Sequence, residues 1–191
     1  MHSRRDEDDT RNFLVDAALL ENKPAPRILD ICCGTGSVIL AFDRRYPGSL
    51  AVGTDFSRGM LRKAREKNVT GRVRFVEGDA AALPFADDRF DVVTCSHALY
   101  ELKGNTRQEA LREMKRVVRP DGIVLLMEHE IPRHPVVKLL FYIRLFFMGS
   151  KDAREFARGG LEPLEKIFPR VSLSHSRTGK SKLMSCRKQA P

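Results

Sequence analysis

The feature that most constrains this chain is the turn Asp30-Ile31-Cys32-Cys33-Gly34-Thr35-Gly36, which links a short apolar run, 27–31, to a helical stretch reaching about Phe42. A strand that bends sharply into a helix needs residues without a Cβ at the bend, and Gly34 and Gly36 supply them. They also let backbone approach a ligand closely. The first N–H groups of the following helix have no partner inside it and are available to a carboxylate or phosphate. A glycine turn alone also serves geometry in many α/β proteins, so its meaning depends on the rest of the chain.

Beyond the turn, strand and helix alternate. Tyr46-Pro47-Gly48 breaks the chain, 49–54 form a second strand with Asp55 at its end, and Ser57 caps a helix reaching about Lys67. Residues 72–76 and 90–95 are the third and fourth strands. A helix opening at Asn105 or Thr106 repeats Ala110, Leu111, Met114, Val117 and Val118 at helical spacing, and Pro120-Asp121-Gly122 ends it. The fifth strand, 123–127, is apolar on both faces, as a buried parallel strand should be. Residues 170–175 and 182–187 flank a turn at Thr178-Gly179 and predict a β-hairpin that closes the sheet with an antiparallel edge strand. The expected fold is a doubly wound α/β domain, mostly parallel and seven-stranded, with an antiparallel C-terminal hairpin. One domain over 1–191 is expected: a helical lead-in (1–26), a cofactor-binding core (27–130), an apolar helical insertion (131–169) and a basic hairpin (170–191).

A chain of 191 residues, 42% apolar and 31% charged, can bury a core without disulfide or metal staples and reads as soluble and globular. Four irregularly placed cysteines exclude a disulfide framework and point to a reducing, cytoplasmic compartment. The opening MHSRRDEDDT has no signal-peptide pattern, and no apolar run reaches the roughly 20 residues that span a bilayer. The net charge is +9, and 170–191 hold six basic residues and no acid. Such an end suits an anionic partner, whether lipid headgroups, a phosphorylated substrate or nucleic acid, or lysines guarding a solvated sheet edge.

Ligands of doubly wound sheets bind beyond the carboxyl ends of the strands, where strand order reverses. Asp55 stands there, 19 residues after Gly36, where a carboxylate can accept both ribose hydroxyls of a nucleoside. With the glycine turn, it makes a nucleoside cofactor the expected ligand. The segments ILDICCGTGS, VGTDFS, FVEGDAAALPFADDRFDVV and REMKRVVRPDGIVLLME occur in that order. Over 27–130 they resemble the class I S-adenosylmethionine-dependent methyltransferases, most closely the ubiquinone-menaquinone biosynthesis and small-molecule branch.

The resemblance implies S-adenosylmethionine as cofactor. It implies that the turn, through Asp30, Cys32, Gly34 and Gly36, contacts the methionine part, that Asp55 holds the ribose, and that Phe56 packs on the adenine. Asp79 and the Ala80 N–H would read the adenine edge, and Ser96 would lie near the sulfonium. Two departures stand out. Cys32 replaces the first of the usual three glycines, read here as packing rather than a redox site. The His-His pair that many small-molecule relatives carry after the fourth strand is replaced by Tyr100-Glu101, with His97 three residues before Tyr100.

Methyl transfer from a sulfonium is an in-line displacement in which the protein mainly positions the reactants. Orientation alone can lower the barrier by about 7–11 kcal/mol. A base is needed only where the nucleophile must lose a proton; His97 and Tyr100 are the candidates, with Glu128 and His129 at the next strand end. No metal is expected, because Glu128-His129-Glu130 with His134 lacks the i, i+4 histidine spacing of a helical zinc motif. Thr178-Gly179-Lys180-Ser181 ends like a phosphate loop, but Ser174 occupies the first glycine position. Residues 136–148 are apolar except for Lys138, Arg144 and the Tyr142 hydroxyl. As a helix of about 20 Å they are too short to span a bilayer, and their apolar surface exceeds one packed face. They suit a greasy channel or an anionic membrane surface shared with the basic hairpin. The acceptor is therefore expected to be a small hydrophobic or lipid-related molecule, such as a quinone precursor or a phospholipid amine.

Three rivals are weighed against this. A nicotinamide oxidoreductase would place a glycine where Ile39 stands. A nucleic-acid methyltransferase acting on base amino groups would carry an Asn/Asp-Pro-Pro-aromatic tetrad in place of Thr94-Cys95-Ser96-His97. A cofactor-binding scaffold without catalysis would keep the same cofactor residues and lack turnover.

Overall fold

A computed structural model describes residues 2–102, 104–130 and 160–189. The strand that opens the glycine turn, β1 (Arg27–Ile31), runs through the middle of a seven-stranded sheet. Its neighbours are β2 (Leu50–Asp55) and β4 (Phe90–Ser96), both parallel to it. Beyond β2 lies β3 (Arg74–Glu77), and beyond β4 lies β5 (Val118–His129). The chain builds outward from β1 through β2 to β3 and then returns to add β4 and β5 on the other side. Strand order thus reverses between β1 and β4, and there the carboxyl ends of neighbouring strands diverge to leave a crevice.

Side chains of successive strand residues point to opposite faces, so each buried strand feeds two cores. Leu29, Ile31, Val93, Cys95, Val124 and Leu126 join one core with Ala110, Leu111 and Met114 of α4 (Thr106–Val117). Ile28, Val92 and Leu125 join the other with Leu14 of α1 (His2–Asp16) and Ile39 and Phe42 of α2 (Ser37–Arg45). The predicted helical spacing of Ala110, Leu111, Met114 and Val117 is therefore the buried face of α4.

After β2 comes α3 (Arg58–Lys67), and Ser57 is its cap: its Oγ accepts from the Met60 N–H at 3.4 Å. That bond is long, so Ser57→Ala should cost about 0.5–1 kcal/mol, the low end for a cap. The check is the urea midpoint; an unchanged midpoint removes the cap from the account.

Two details differ from the sequence reading. Pro120-Asp121-Gly122 does not separate helix from strand: α4 ends at Val117, β5 starts at Val118, and the tripeptide is a bulge within it. The register passes from Phe90 opposite Val118 to Val92 opposite Ile123. The antiparallel strand is also not the edge. In the hairpin of β6 (Arg170–His175) and β7 (Ser181–Arg187), β7 lies between β5 and β6, antiparallel to both. The reason is composition: Leu183, Met184 and Cys186 of β7 are buried, whereas β6 is mostly serine, basic or exposed. A short helix, α5 (Glu162–Glu165), precedes the hairpin and places Leu164 in the α4 core. The apolar stretch 136–148 falls outside the described residues, as does most of the 131–169 insertion.

The hairpin's charges are partly turned inward. Lys188 donates to Asp88 and to the carbonyls of Arg116 and Val118, and Arg187 donates to the Asp121 carbonyl. No helix among the described residues is long and apolar enough to cross a membrane.

Candidate functional site

The turn after β1 takes the left-handed backbone at three places, Cys32 (φ 53°), Gly34 (φ 53°) and Gly36 (φ 76°). At Gly36 a Cβ would sit 3.0 Å from the Phe75 ring, so both conformation and space require glycine there. At Gly34 no heavy atom lies within 4 Å of where a Cβ would be: this glycine faces open space, the cradle that a closely approaching ligand needs. Cys32 takes the same backbone at the cost of strain.

Asp55, the last residue of β2, ties this turn to the next. Its Oδ2 accepts from the Gly34 N–H and its Oδ1 from the Ser57 N–H, each at 2.8 Å. The carboxylate thus bridges the glycine turn and the start of α3, with one lone pair on each oxygen still available. Asp30 lies deeper, on the α2 face of β1. Thr94 Oγ1 donates to its Oδ1 at 2.7 Å, while its Oδ2 is buried without a partner. Burial pushes the Asp30 carboxyl up to about 7, against the Thr94 hydrogen bond and the Ile39 N–H at the start of α2.

Two clefts open at the strand ends. The first, of about 650 Å³, is lined by Asp55, Phe56, Asp79, Ala80 and Glu101. Phe56 is 80% exposed on its rim, an aromatic face with nothing yet packed on it. Asp79 is braced by the Ala81 N–H at 2.9 Å. The second cleft, of about 660 Å³, is lined by Asp30, His97, Met127 and His129, with Arg11 reaching in from α1 and Lys180 from the hairpin turn. Cys32, Gly34, Ser96 and His97 line both clefts, so the two meet along one shared wall.

His97 stands in that wall just past β4. Its φ is 55°, and its N–H donates to the Met127 carbonyl at 2.7 Å, which fixes the turn against β5. Its ring stacks on His129, centroids 4.0 Å apart and planes 22° from parallel. Nδ1 of His97 is buried and has no partner. Burial, and then the neighbouring His129, hold its imidazole down at about 4.

Of the residues expected in the site, Asp30, Cys32, Gly34, Asp55, Phe56, Asp79, Ala80, Ser96 and His97 all line one cleft or both. Gly36 serves the turn beneath them. Tyr100 does not join them: on its 3-10 turn the cleft wall is built from Ala98, Glu101 and Leu102. Cys32 touches Cys95 through its thiol, in keeping with packing. Among the described residues no cluster of three or more metal-ligating side chains occurs, and His134 lies outside them. Sequence reasoning missed that Arg11 and Lys180 reach the second cleft from opposite ends of the chain: no local motif marks Arg11, and the phosphate-loop-like segment around Lys180 does not point to this cleft. It also missed that His97 and His129, 32 residues apart, form one stacked pair.

The chain has relatives in sequence and in fold. Residues 28–122 match the methyltransferase domain family. The chain belongs to the class I methyltransferases. It is 34% identical over 134 residues to a demethylmenaquinone methyltransferase of Lactobacillus johnsonii, covering 66% of this chain and 54% of that one. It is 36% identical over 134 residues to the enzyme of that name from Staphylococcus aureus strain JH9, covering 69% and 55%. The chain thus spans about half the length of the curated relatives it matches. A protein from Pyrococcus horikoshii shares the fold with a TM-score of 0.68 at 23% identity, covering 94% of this chain and 90% of that one. A TehB-like S-adenosylmethionine-dependent methyltransferase from Corynebacterium glutamicum does so with a TM-score of 0.64 at 17% identity, covering 94% and 88%.

The cofactor of this family is S-adenosylmethionine. The methyltransferase domain here has what that molecule needs: an open glycine cradle, an exposed aromatic ring, a carboxylate at the end of β2, and the buried Asp30 carboxyl in the wall of the second cleft.

Proposed function

We propose that this chain transfers the methyl group of S-adenosylmethionine to a small, hydrophobic, hydroxylated acceptor of the quinone-precursor type. The single observation that carries this reading is the wall of Cys32, Gly34, Ser96 and His97 shared by two clefts. Adenosine fits the first cleft, with Asp55 on the ribose, Phe56 on the base and Asp79 with Ala80 at its edge. The methionine part runs along the turn toward Asp30, and the acceptor enters the second cleft. When bound, the sulfonium supplies an activated methyl group, so the chain's own task is to orient two reactants across the wall and exclude water. The demethylmenaquinone methyltransferases among its relatives support the acceptor class. The apolar composition of 136–148 supports an acceptor delivered from an anionic membrane surface.

The test is release of S-adenosylhomocysteine on incubation with S-adenosylmethionine and a short-chain demethylmenaquinone kept reduced. Methylated quinol is the expected product. Firm cofactor binding with no turnover on this or any hydroxylated aromatic overturns the reading in favour of a scaffold. Liposome flotation with anionic lipid tests the membrane step: Phe146→Ser with Phe147→Ser should reduce binding, and an unaltered profile removes the stretch from that role. Within the first cleft, Phe56→Ala should weaken S-adenosylhomocysteine binding by about 1 kcal/mol, the low end for one aromatic–base stack. Calorimetry showing equal affinity takes Phe56 off the adenine.

A further inference from the structure

Four independent features converge on the residue after β4. His97 is a non-glycine residue in the left-handed region, the kind of local strain that a fold retains where a side chain must be aimed. Its backbone is locked to β5 by the bond to Met127. Its ring is clamped face to face on His129. It also carries a buried nitrogen without a partner, in the wall where the two clefts meet. A histidine needed only for packing would satisfy that nitrogen.

Resting on the methyl-transfer reading, we propose that His97 is the catalytic base that takes the hydroxyl proton of the acceptor, and that His129 is the positioning residue that holds its ring and keeps it neutral beforehand. This pair is assembled from the ends of β4 and β5.

In this step the acceptor O–H bond breaks and its proton passes to His97, leaving the electron pair on the acceptor. The acceptor's nucleophilic atom, the oxygen or a conjugated ring carbon, bonds to the methyl carbon as the carbon–sulfur bond breaks and its pair stays on sulfur. If carbon is the nucleophile, its own hydrogen then leaves to solvent as the ring regains aromaticity, and the imidazolium returns its proton to the oxygen to restore the hydroxyl. The net charge of +1 is conserved: it starts on sulfur, rests on the imidazole once the methyl group has moved, and leaves as the one proton released to solvent.

That transfer of charge explains why a poor base suffices. With the imidazole held at about 4, His97 is neutral at physiological pH and open to accept a hydrogen bond. A cation across the wall opposes its protonation further, and that opposition vanishes as the methyl group leaves. The base therefore strengthens as the reaction proceeds. Stacking at 4.0 Å lets only one ring of the pair carry the proton. The other charged groups on the two clefts are Asp30, Arg11 and Lys180 on one side and Asp55, Asp79 and Glu101 on the other.

The test uses the full chain with nitrogen-15 histidine, titrated by NMR with S-adenosylmethionine and with S-adenosylhomocysteine, His97 being assigned by His97→Gln. The His97 midpoint should be lower with the sulfonium than with the thioether by on the order of one pH unit, the effect of a unit charge a few ångströms away. Equal midpoints overturn the proposal, whatever the acceptor proves to be. His129→Phe keeps an aromatic partner but no titrating one, so it should raise the midpoint; an unmoved midpoint reduces His129 to packing. With reduced demethylmenaquinone, His97→Gln should lower kcat by about 10²–10⁴-fold while S-adenosylhomocysteine affinity stays within about threefold. A normal kcat also overturns the proposal. Absence of turnover by the wild type strikes the acceptor reading instead, and the NMR comparison still decides where His97 stands.

Discussion

Replacing Asp55 by Ala should weaken S-adenosylhomocysteine binding by about 1.5–3 kcal/mol, the usual loss for hydrogen bonds to a charged group. The side chain has two tasks, and the substitution removes both. On the protein side it accepts the N–H groups of Gly34 and Ser57 at 2.8 Å, holding the glycine turn at its distance from α3. On the ligand side its remaining lone pairs face the first cleft, which it lines. Asp55→Asn separates the two: one amide oxygen can still serve one of the N–H groups, but the amide nitrogen cannot accept the other. Its affinity should therefore fall between wild type and Ala, with a smaller loss of thermal stability. Calorimetry decides, and unchanged affinity in the Ala variant would place the nucleoside elsewhere.

The sequence was most readable where chemistry is local. The glycine turn, the acid after β2 and the Gly78-Asp79-Ala80 segment each lie within a few residues of a strand end, so alternation of strand and helix was enough to bring them together at the reversal of strand order. The buried face of α4 was equally plain, because helical periodicity reports one face directly. The hairpin was readable as a pair but not in its order. Which strand lies inside depends on how Leu183, Met184 and Cys186 bury against β5, a contact across more than fifty residues.

The second cleft was hardest to read. Arg11 comes from a helix that looked like a lead-in, and Lys180 from a turn that looked like part of a solvated basic end. His97 and His129 become neighbours only because β4 and β5 pair in parallel with Ser96 opposite Met127. Tyr100, which stands where many relatives carry a histidine pair, lies on the 3-10 turn Leu99–Glu101, of which Glu101 lines the first cleft. The first cleft is thus written in short motifs, whereas the second is assembled from three distant parts of the chain.

The wall also depends on a carboxyl group that binds nothing in it. Glu128 lies on the opposite face of β5 from His129, buried, with Oε1 accepting the Leu99 N–H at 3.0 Å and Oε2 without a partner. It thereby holds the 3-10 turn that carries Glu101 into the first cleft. Burial pushes its carboxyl up to about 8, opposed by the Leu99 N–H and by Lys182 and Arg107. In the unfolded chain the group ionises near 4.5, whereas in the folded chain it keeps its proton until about 8. Its contribution is therefore fully present below the unfolded value and lost as pH rises toward the folded one. Glu128→Gln keeps an oxygen for Leu99 and removes the titration. Between about pH 5 and about pH 8, wild type should lose stability relative to Glu128→Gln by up to about 4 kcal/mol. The raised carboxyl of Asp30 acts in the same direction but is common to both proteins, so it cancels in the difference. Urea midpoints at the two pH values provide the measurement. A difference that stays constant with pH would mean that Glu128 is ionised in the folded chain, with its second oxygen satisfied after all.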